Sequence, residues 1–244
     1  MLDTDIQVVS PPRHSVQHFA RWVAQACPPD ARVLDIGAGA DLSGSLGPIL
    51  DRGCHLVGID PDASIRRNRS VHERHQVRLE EFAWTHTGEF DVAFAVYVLE
   101  HVADPSAFVA ACSRVLRPGG SMFALTLNVR QYFGATTWAM TRLGVADPVL
   151  AWLKGRDVMD GYHFPTEYRL NSIRTLRSQY GTAGFSRVEF RCYDATERYA
   201  WYLPAPLQRL ATDYTRLAYR VGSPSMMGHL TFRAVKAGGG PAPV

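Results

Sequence analysis

The stretch Val33-Leu34-Asp35-Ile36-Gly37-Ala38-Gly39-Ala40-Asp41 begins as a short apolar run and closes on two glycines. Such a run reads as a buried parallel strand. Glycines at its carboxyl end let a ligand approach backbone that any Cβ would obstruct, at the switch point where open α/β sheets bind ligands. Upstream, Val16, Phe19, Trp22 and Val23 recur at helical spacing until Pro28-Pro29 stops the helix. Residues 1–14, with Pro11-Pro12, read as an arm leading into that helix. Downstream, a helix over about 45–51 with Gly53 as its C-cap leads to a second apolar run, 55–60, and closes a βαβ unit. Asp60 ends that run about 20 positions beyond Gly39, the spacing at which an acid accepts hydrogen bonds from ribose hydroxyls.

The alternation continues. A polar helix over 63–74 and a short strand at Val77-Arg78-Leu79 are expected next, then an apolar strand over 90–96 in which Asp91 reads as structural. A helix over 105–116 follows, ended by Arg117-Pro118-Gly119-Gly120, and a strand over 121–127. Strands alternating with helices at this spacing argue for a parallel, doubly wound sheet. After Asn128 the rhythm breaks. Residues 129–165 are rich in aromatic and apolar side chains, among them Trp138 and Trp152, and read as two short amphipathic helices. A helix over 171–180, a strand over 187–193, a helix over 205–220 and a last strand over 228–235 complete the domain. The Gly/Pro-rich tail, 237–244, cannot build a core.

Composition narrows the function. A chain of 244 residues suits one α/β domain. Its net charge of +3 is too weak to argue for nucleic acid, and the basic run Arg66-Arg67-Asn68-Arg69 reads as a solvated helix face. Cys27, Cys54, Cys112 and Cys192 lack C-x-x-C spacing and sit among apolar neighbours, so they read as buried thiols rather than zinc ligands. Neither a signal peptide nor an apolar run of ~18 residues is present in this sequence. The expectation is a cytoplasmic protein that engages no membrane.

A dinucleotide fold shares the glycine loop and the acid, so the two must be separated. G-x-G-x-x-G requires glycine at position 42, where this chain has Leu42. An acid just before the first glycine, Asp35, instead resembles the D-x-G-x-G motif of class I, Rossmann-like S-adenosylmethionine-dependent methyltransferases. Gly58-Ile59-Asp60-Pro61-Asp62 looks like that family's second-strand ending. Phe90-Asp91-Val92 with Val98-Leu99-Glu100-His101-Val102-Ala103-Asp104-Pro105 looks like its fourth strand and following turn. Val115-Leu116-Arg117-Pro118-Gly119-Gly120 and Gly184-Phe185 match the turns before its fifth and sixth. Two departures stand out: Asp41 occupies a position often held by a third glycine, and the N-P-P-Y signature of enzymes methylating nucleobase or glutamine amino groups is replaced by Val96-Tyr97-Val98, which argues against a nucleic-acid base as substrate.

The resemblance implies a seven-stranded, mostly parallel sheet with the last strand antiparallel, a domain over 15–236, and a helical lid, 129–165, inserted after the fifth strand. It implies S-adenosylmethionine as cofactor. Asp35, Gly37, Ala38 and Gly39 would hold the methionine end and Asp60 the ribose. Pro61, with Glu80 or Glu81 after the third strand, would hold the adenine. The partner is a small-molecule acceptor methylated at oxygen or nitrogen. Methyl transfer is an in-line displacement governed by positioning and a dry site, and an oxygen acceptor benefits from a base. His101 and His163 are the candidates for base or substrate contact. The aromatics of 129–165 fit a core, an acceptor pocket or a homodimer surface. Two other classes remain open, an NAD(P)-dependent oxidoreductase and a non-catalytic binding subunit on the same fold. Asp60→Ala is expected to weaken cofactor binding without affecting stability.

Overall fold

The computed structural model describes residues 2–40, 44–132, 135, 136, 139, 166–196 and 205–238. Among these, one sheet holds β1 (Asp3–Val8), β2 (Arg32–Ile36), β3 (His55–Ile59), β4 (Glu73–His75), β5 (Phe90–Val96), β6 (Leu116–Leu127), β7 (Phe185–Tyr193) and β8 (His229–Lys236). Their spatial order is β1-β7-β8-β6-β5-β2-β3-β4. All neighbours run parallel except β8, which is antiparallel to both β6 and β7. The helices are α1 (Ser15–Ala26), α2 (Gly47–Leu50), α3 (Leu79–Thr85), α4 (Pro105–Val115), α5 (Ile173–Thr182) and α6 (Ala205–Val221).

The central strands are apolar because both faces are covered. One face carries α1, whose Phe19 and Trp22 meet Phe94 and Phe123 edge-on at ring-centroid distances of 6.3 and 5.1 Å respectively. The other gathers Phe82, Phe108, Val109, Leu176 and Tyr180 from α3, α4 and α5. Burying each such side chain stabilises the fold by roughly 1.5–3 kcal/mol. Asp91 is structural, as expected. One carboxylate oxygen accepts the Arg32 N–H of β2 at 2.9 Å and the other meets Arg117 at 2.6 Å, tying β2, β5 and β6 together at their amino ends. All four cysteines are buried thiols, and burial raises Cys27 and Cys192 to about 12.

Three expectations need correction. The arm is a strand: Asp3 to Val8 pair in register with Arg187 to Cys192, so the sheet has eight strands rather than seven and begins before residue 15. The helix over 63–74 is a single 3-10 turn, Ala63–Arg67, capped by Asp62, whose carboxylate accepts the Ser64 N–H at 2.7 Å. The third family strand is Glu73–His75, not Val77-Arg78-Leu79. Val77 lies past it and Leu79 starts α3, where its side chain enters the core. The Glu73 carboxylate is held by Arg32 at 3.1 Å and His55 at 2.6 Å, so this edge strand is charged rather than apolar. The lid expected over 129–165 falls almost entirely outside the described residues, as does the end of the tail. Among the described residues no helix is long and apolar enough to cross a membrane.

Candidate active site

β2 and β5 are neighbours, but the chain leaves β2 for β3 on one side and β5 for β6 on the other. Their carboxyl ends therefore form the crevice in which ligands bind to such sheets. The glycine loop hangs there from two backbone bonds: Gly37 N–H and Ala38 N–H both donate to the Ile59 carbonyl, at 2.8 and 3.1 Å. Gly37 has φ +73° and Gly39 φ +48°, conformations that side chains disfavour. The space over Gly37 is not left for a ligand. A Cβ there would lie 2.4 Å from Val98 Cγ2, so this glycine lets the turn after β5 close onto the loop. Over Gly39 the nearest atom among the described residues is Asp60 Oδ2, 4.0 Å from such a Cβ, and no described residue closes this face.

Asp60 is the hub of the site. Its Oδ2 accepts the Gly39 N–H at 2.9 Å and its Oδ1 the Asp62 N–H at 2.7 Å. The residue is 8% exposed. A carboxylate can accept more than two hydrogen bonds, so each oxygen retains capacity for a hydroxyl. Asp35, at 5% exposure, is the penultimate residue of β2, one position before the strand runs into the loop. Pro61 is exposed, and its carbonyl accepts from the Gln76 side chain at 3.3 Å. The two glutamates separate. Both lie in the first turn of α3, where carboxylates favour the helix dipole. Glu80 sits near Cys112 of α4, adding to the rise in that thiol's pKa caused mainly by burial. Glu81 instead lines a cavity of about 430 Å³ with Gln76, Phe82 and His86.

The turn after β5 is strained and firmly held. Tyr97 has φ +53°, a conformation that costs a non-glycine residue about 1 kcal/mol or more. Its N–H donates to the Leu125 carbonyl at 2.9 Å. A 3-10 turn, Leu99–His101, follows and brings partly exposed His101 to the carboxyl end of β5. Beside it, Glu100 is 3% exposed. Its Oε1 accepts the Leu127 N–H at 3.2 Å, while its carbonyl accepts the N–H groups of Glu167 and Tyr168 at 2.7 and 3.0 Å. Burial pushes the carboxyl above the usual glutamate range, against the opposing pull of its hydrogen bonds to the Leu127 backbone and the Thr126 side chain. His163, the other candidate base, lies outside the described residues, as do Asp41 and Leu42.

Three contributors escaped the sequence reading. Asn68, inside the run taken for a solvated helix face, is fully buried. Its amide donates to the carbonyls of Ala38 and Gly39 at 3.0 and 3.2 Å and so pins the loop from behind. A lone asparagine among arginines gave no spacing cue. Val98 over Gly37 and buried Glu100 were within a recognised motif, but which of its side chains turn inward depends on the strained residue at 97. Among the described residues, no group of three or more His, Cys, Asp or Glu side chains is placed to hold a metal ion.

A mostly parallel sheet with one antiparallel strand, and a glycine loop tied to an acid at its switch point, defines a Rossmann-like protein of the methyltransferase type. The family described as "Methyltransferase domain" matches residues 12–189, and this chain belongs to it. A ubiquinone biosynthesis O-methyltransferase of Aromatoleum aromaticum is 41% identical over 106 residues, covering 40% of this chain and 44% of that protein. A Bradyrhizobium sp. protein of the same name is 32% identical over 167 residues, 64% of this chain and 62% of that one. The chain thus spans about half the length of the curated relatives it matches. A SAM-dependent methyltransferase from Archaeoglobus fulgidus superposes with a TM-score of 0.60 at 15% identity, over 92% of this chain and 95% of that one. At that identity the likeness is one of fold.

Proposed function

We propose that the chain is an S-adenosylmethionine-dependent O-methyltransferase whose acceptor is a small biosynthetic intermediate. The observation that carries this reading is the Asp60 carboxylate, bonded to the Gly39 and Asp62 N–H groups and so pre-set at the mouth of the loop. It fits a nucleoside with free ribose hydroxyls, and the face of Gly39 that no described residue closes fits a chain passing over the loop. The acid Asp35 before the loop suits an ammonium group better than a pyrophosphate. This favours S-adenosylmethionine over a nicotinamide dinucleotide. The names of the sequence relatives favour oxygen as the methylated atom.

In this reading Asp35, Gly37, Ala38 and Gly39 hold the methionine end, and Asp60 accepts from the ribose hydroxyls. Pro61 and Glu81 flank the adenine, because Gln76 links Pro61 to the cavity that Glu81 lines. When bound, S-adenosylmethionine supplies a methyl group already activated by its sulfonium charge. His101 takes the proton from the acceptor hydroxyl. Glu100 acts as a positioning residue, fixing through Leu127, Glu167 and Tyr168 the turn that carries His101. Incubation with S-adenosylmethionine and catechol-type acceptors should release S-adenosylhomocysteine in step with a methyl ether. Release without any methylated acceptor, or none from any hydroxylated aromatic, would count against the assignment. With an active acceptor, His101→Gln should lower kcat by about 100-fold or more and leave S-adenosylhomocysteine affinity intact.

A further inference from the structure

Away from the loop, a groove of about 740 Å³ runs from the carboxyl end of β6 along α5. Three guanidinium-bearing residues line it: Arg130, just beyond β6, and Arg174 and Arg177 on α5. Among the described residues, no acidic one lines it. Among the described arginines outside the groove, Arg32, Arg117, Arg169, Arg187 and Arg216 sit in ion pairs with carboxylates. The groove arginines have no such partner among the described residues, and Arg174 and Arg177 stand three apart on α5, a spacing at which like charges repel unless something neutralises them.

The opposite wall is built rather than incidental. Asn128, 1% exposed, sends its amide to the carbonyls of Pro224 and Met227 at 3.3 and 2.9 Å, fixing the 3-10 turn Pro224–Met226 against the end of β6. That turn presents Ser223 and Ser225, whose hydroxyls lie 2.9 Å apart, and α5 adds Ser178. Hydroxyls and guanidinium forks together are the donor set that wraps a tetrahedral oxyanion. Leu2, Ile173 and Pro224 add apolar surface to the lining, and the groove's volume exceeds what a bare anion needs.

We infer that this groove binds a phosphate-type dianion carried on a small organic body, with Arg130, Arg174 and Arg177 as its counter-charges. The inference does not rest on the methyl-transfer reading. A soluble phosphate ester and a lipid phosphate headgroup share this chemistry, and two arms of one experiment separate them. The full chain is titrated with pyrophosphate by calorimetry at low ionic strength, and it is floated with phosphatidylcholine vesicles with and without phosphatidic acid. The comparison proteins are Arg174→Gln/Arg177→Gln and, as a control outside the groove, Arg209→Gln/Arg220→Gln. All four side chains are exposed, so thermal unfolding without ligand should match wild type in both variants.

Saturable pyrophosphate binding that weakens at least about tenfold in the groove variant alone supports the inference with a soluble ligand. Flotation that requires phosphatidic acid and is lost in the groove variant alone supports it with a headgroup. Binding in neither arm overturns it, as does binding that falls equally in the control.

Discussion

Gly37 and Val98 form a contact that can be separated from the cofactor. Alanine at 37 would place its Cβ 2.4 Å from Val98 Cγ2 on a backbone with φ +73°. Two penalties follow, a clash and a disfavoured conformation, together costing roughly 2–4 kcal/mol. Val98→Ala removes only the first, so Gly37→Ala/Val98→Ala should recover part of the stability lost by Gly37→Ala in urea unfolding. Strictly additive losses would mean that the two residues do not touch. Asp60 also needs a revised expectation, because its carboxylate accepts two backbone N–H groups. Asp60→Ala must lower stability as well as binding. Glu100 adds a pH dependence. Burial raises its folded-state pKa above the usual 4.5, so the folded chain holds that proton more tightly than the unfolded chain. The stabilisation is complete below pH 4.5 and is lost as pH rises through the folded value. Glu100→Gln keeps an acceptor for the Leu127 N–H and cannot ionise. Its stability relative to wild type should therefore grow from pH 4.5 upward, and a pH-independent difference would refute the burial argument.

At the scale of elements, β1 has the clearest consequence. It pairs with β7 alone, forms one edge of the sheet and packs Leu2 and Val8 against the core. Removing residues 1–9 should destabilise the domain by roughly 2 kcal/mol while S-adenosylhomocysteine affinity stays put, since β1 lies five strands from β2. An unchanged melting temperature would show that β1 contributes nothing. The same strand illustrates what the chain conceals. Asp3-Thr4-Asp5-Ile6-Gln7-Val8 is half-exposed on both faces, so it carries no alternation to read. β4 hides similarly, its ends charged because Glu73 is paired laterally with Arg32 and His55. The strands buried on both faces were legible as apolar runs, β2 closed by Gly37, β3 by Asp60 and β5 apolar throughout except for Asp91. The helix expected over 63–74 ends early because Asn68 commits its amide to Ala38 and Gly39 and leaves helical φ/ψ. That is a tertiary bond, and no local pattern announces it. In the site, Gly37, Gly39 and Asp60 were legible by spacing. Glu80 and Glu81 could not be told apart until the start of α3 at Leu79 set their directions.

Across the whole molecule, the sheet brings four sequence-distant pieces to one place: the loop after β2, Asp60 after β3, Asn68 beneath the loop, and the turn after β5 bearing Glu100 and His101. Each is held by contacts within the chain itself: the loop through Ile59 and Asn68, Asp60 through Gly39 and Asp62, and the turn through Leu125 and Leu127. Outside the crevice, the fold spends its polar groups on fastening, as with buried Asp194, which accepts the Gly228 N–H at 3.1 Å and bonds Thr215 of α6. Calorimetric titration reads whether this crevice holds S-adenosylmethionine. Wild-type protein should bind S-adenosylhomocysteine at one site with micromolar affinity and show no heat with NAD or NADP. Asp60→Asn loses charge-assisted bonds each worth roughly 1.5–3 kcal/mol, so its affinity should fall at least about tenfold. Comparable affinity for a nicotinamide dinucleotide, or S-adenosylhomocysteine binding unaffected by Asp60→Asn, would contradict the assignment.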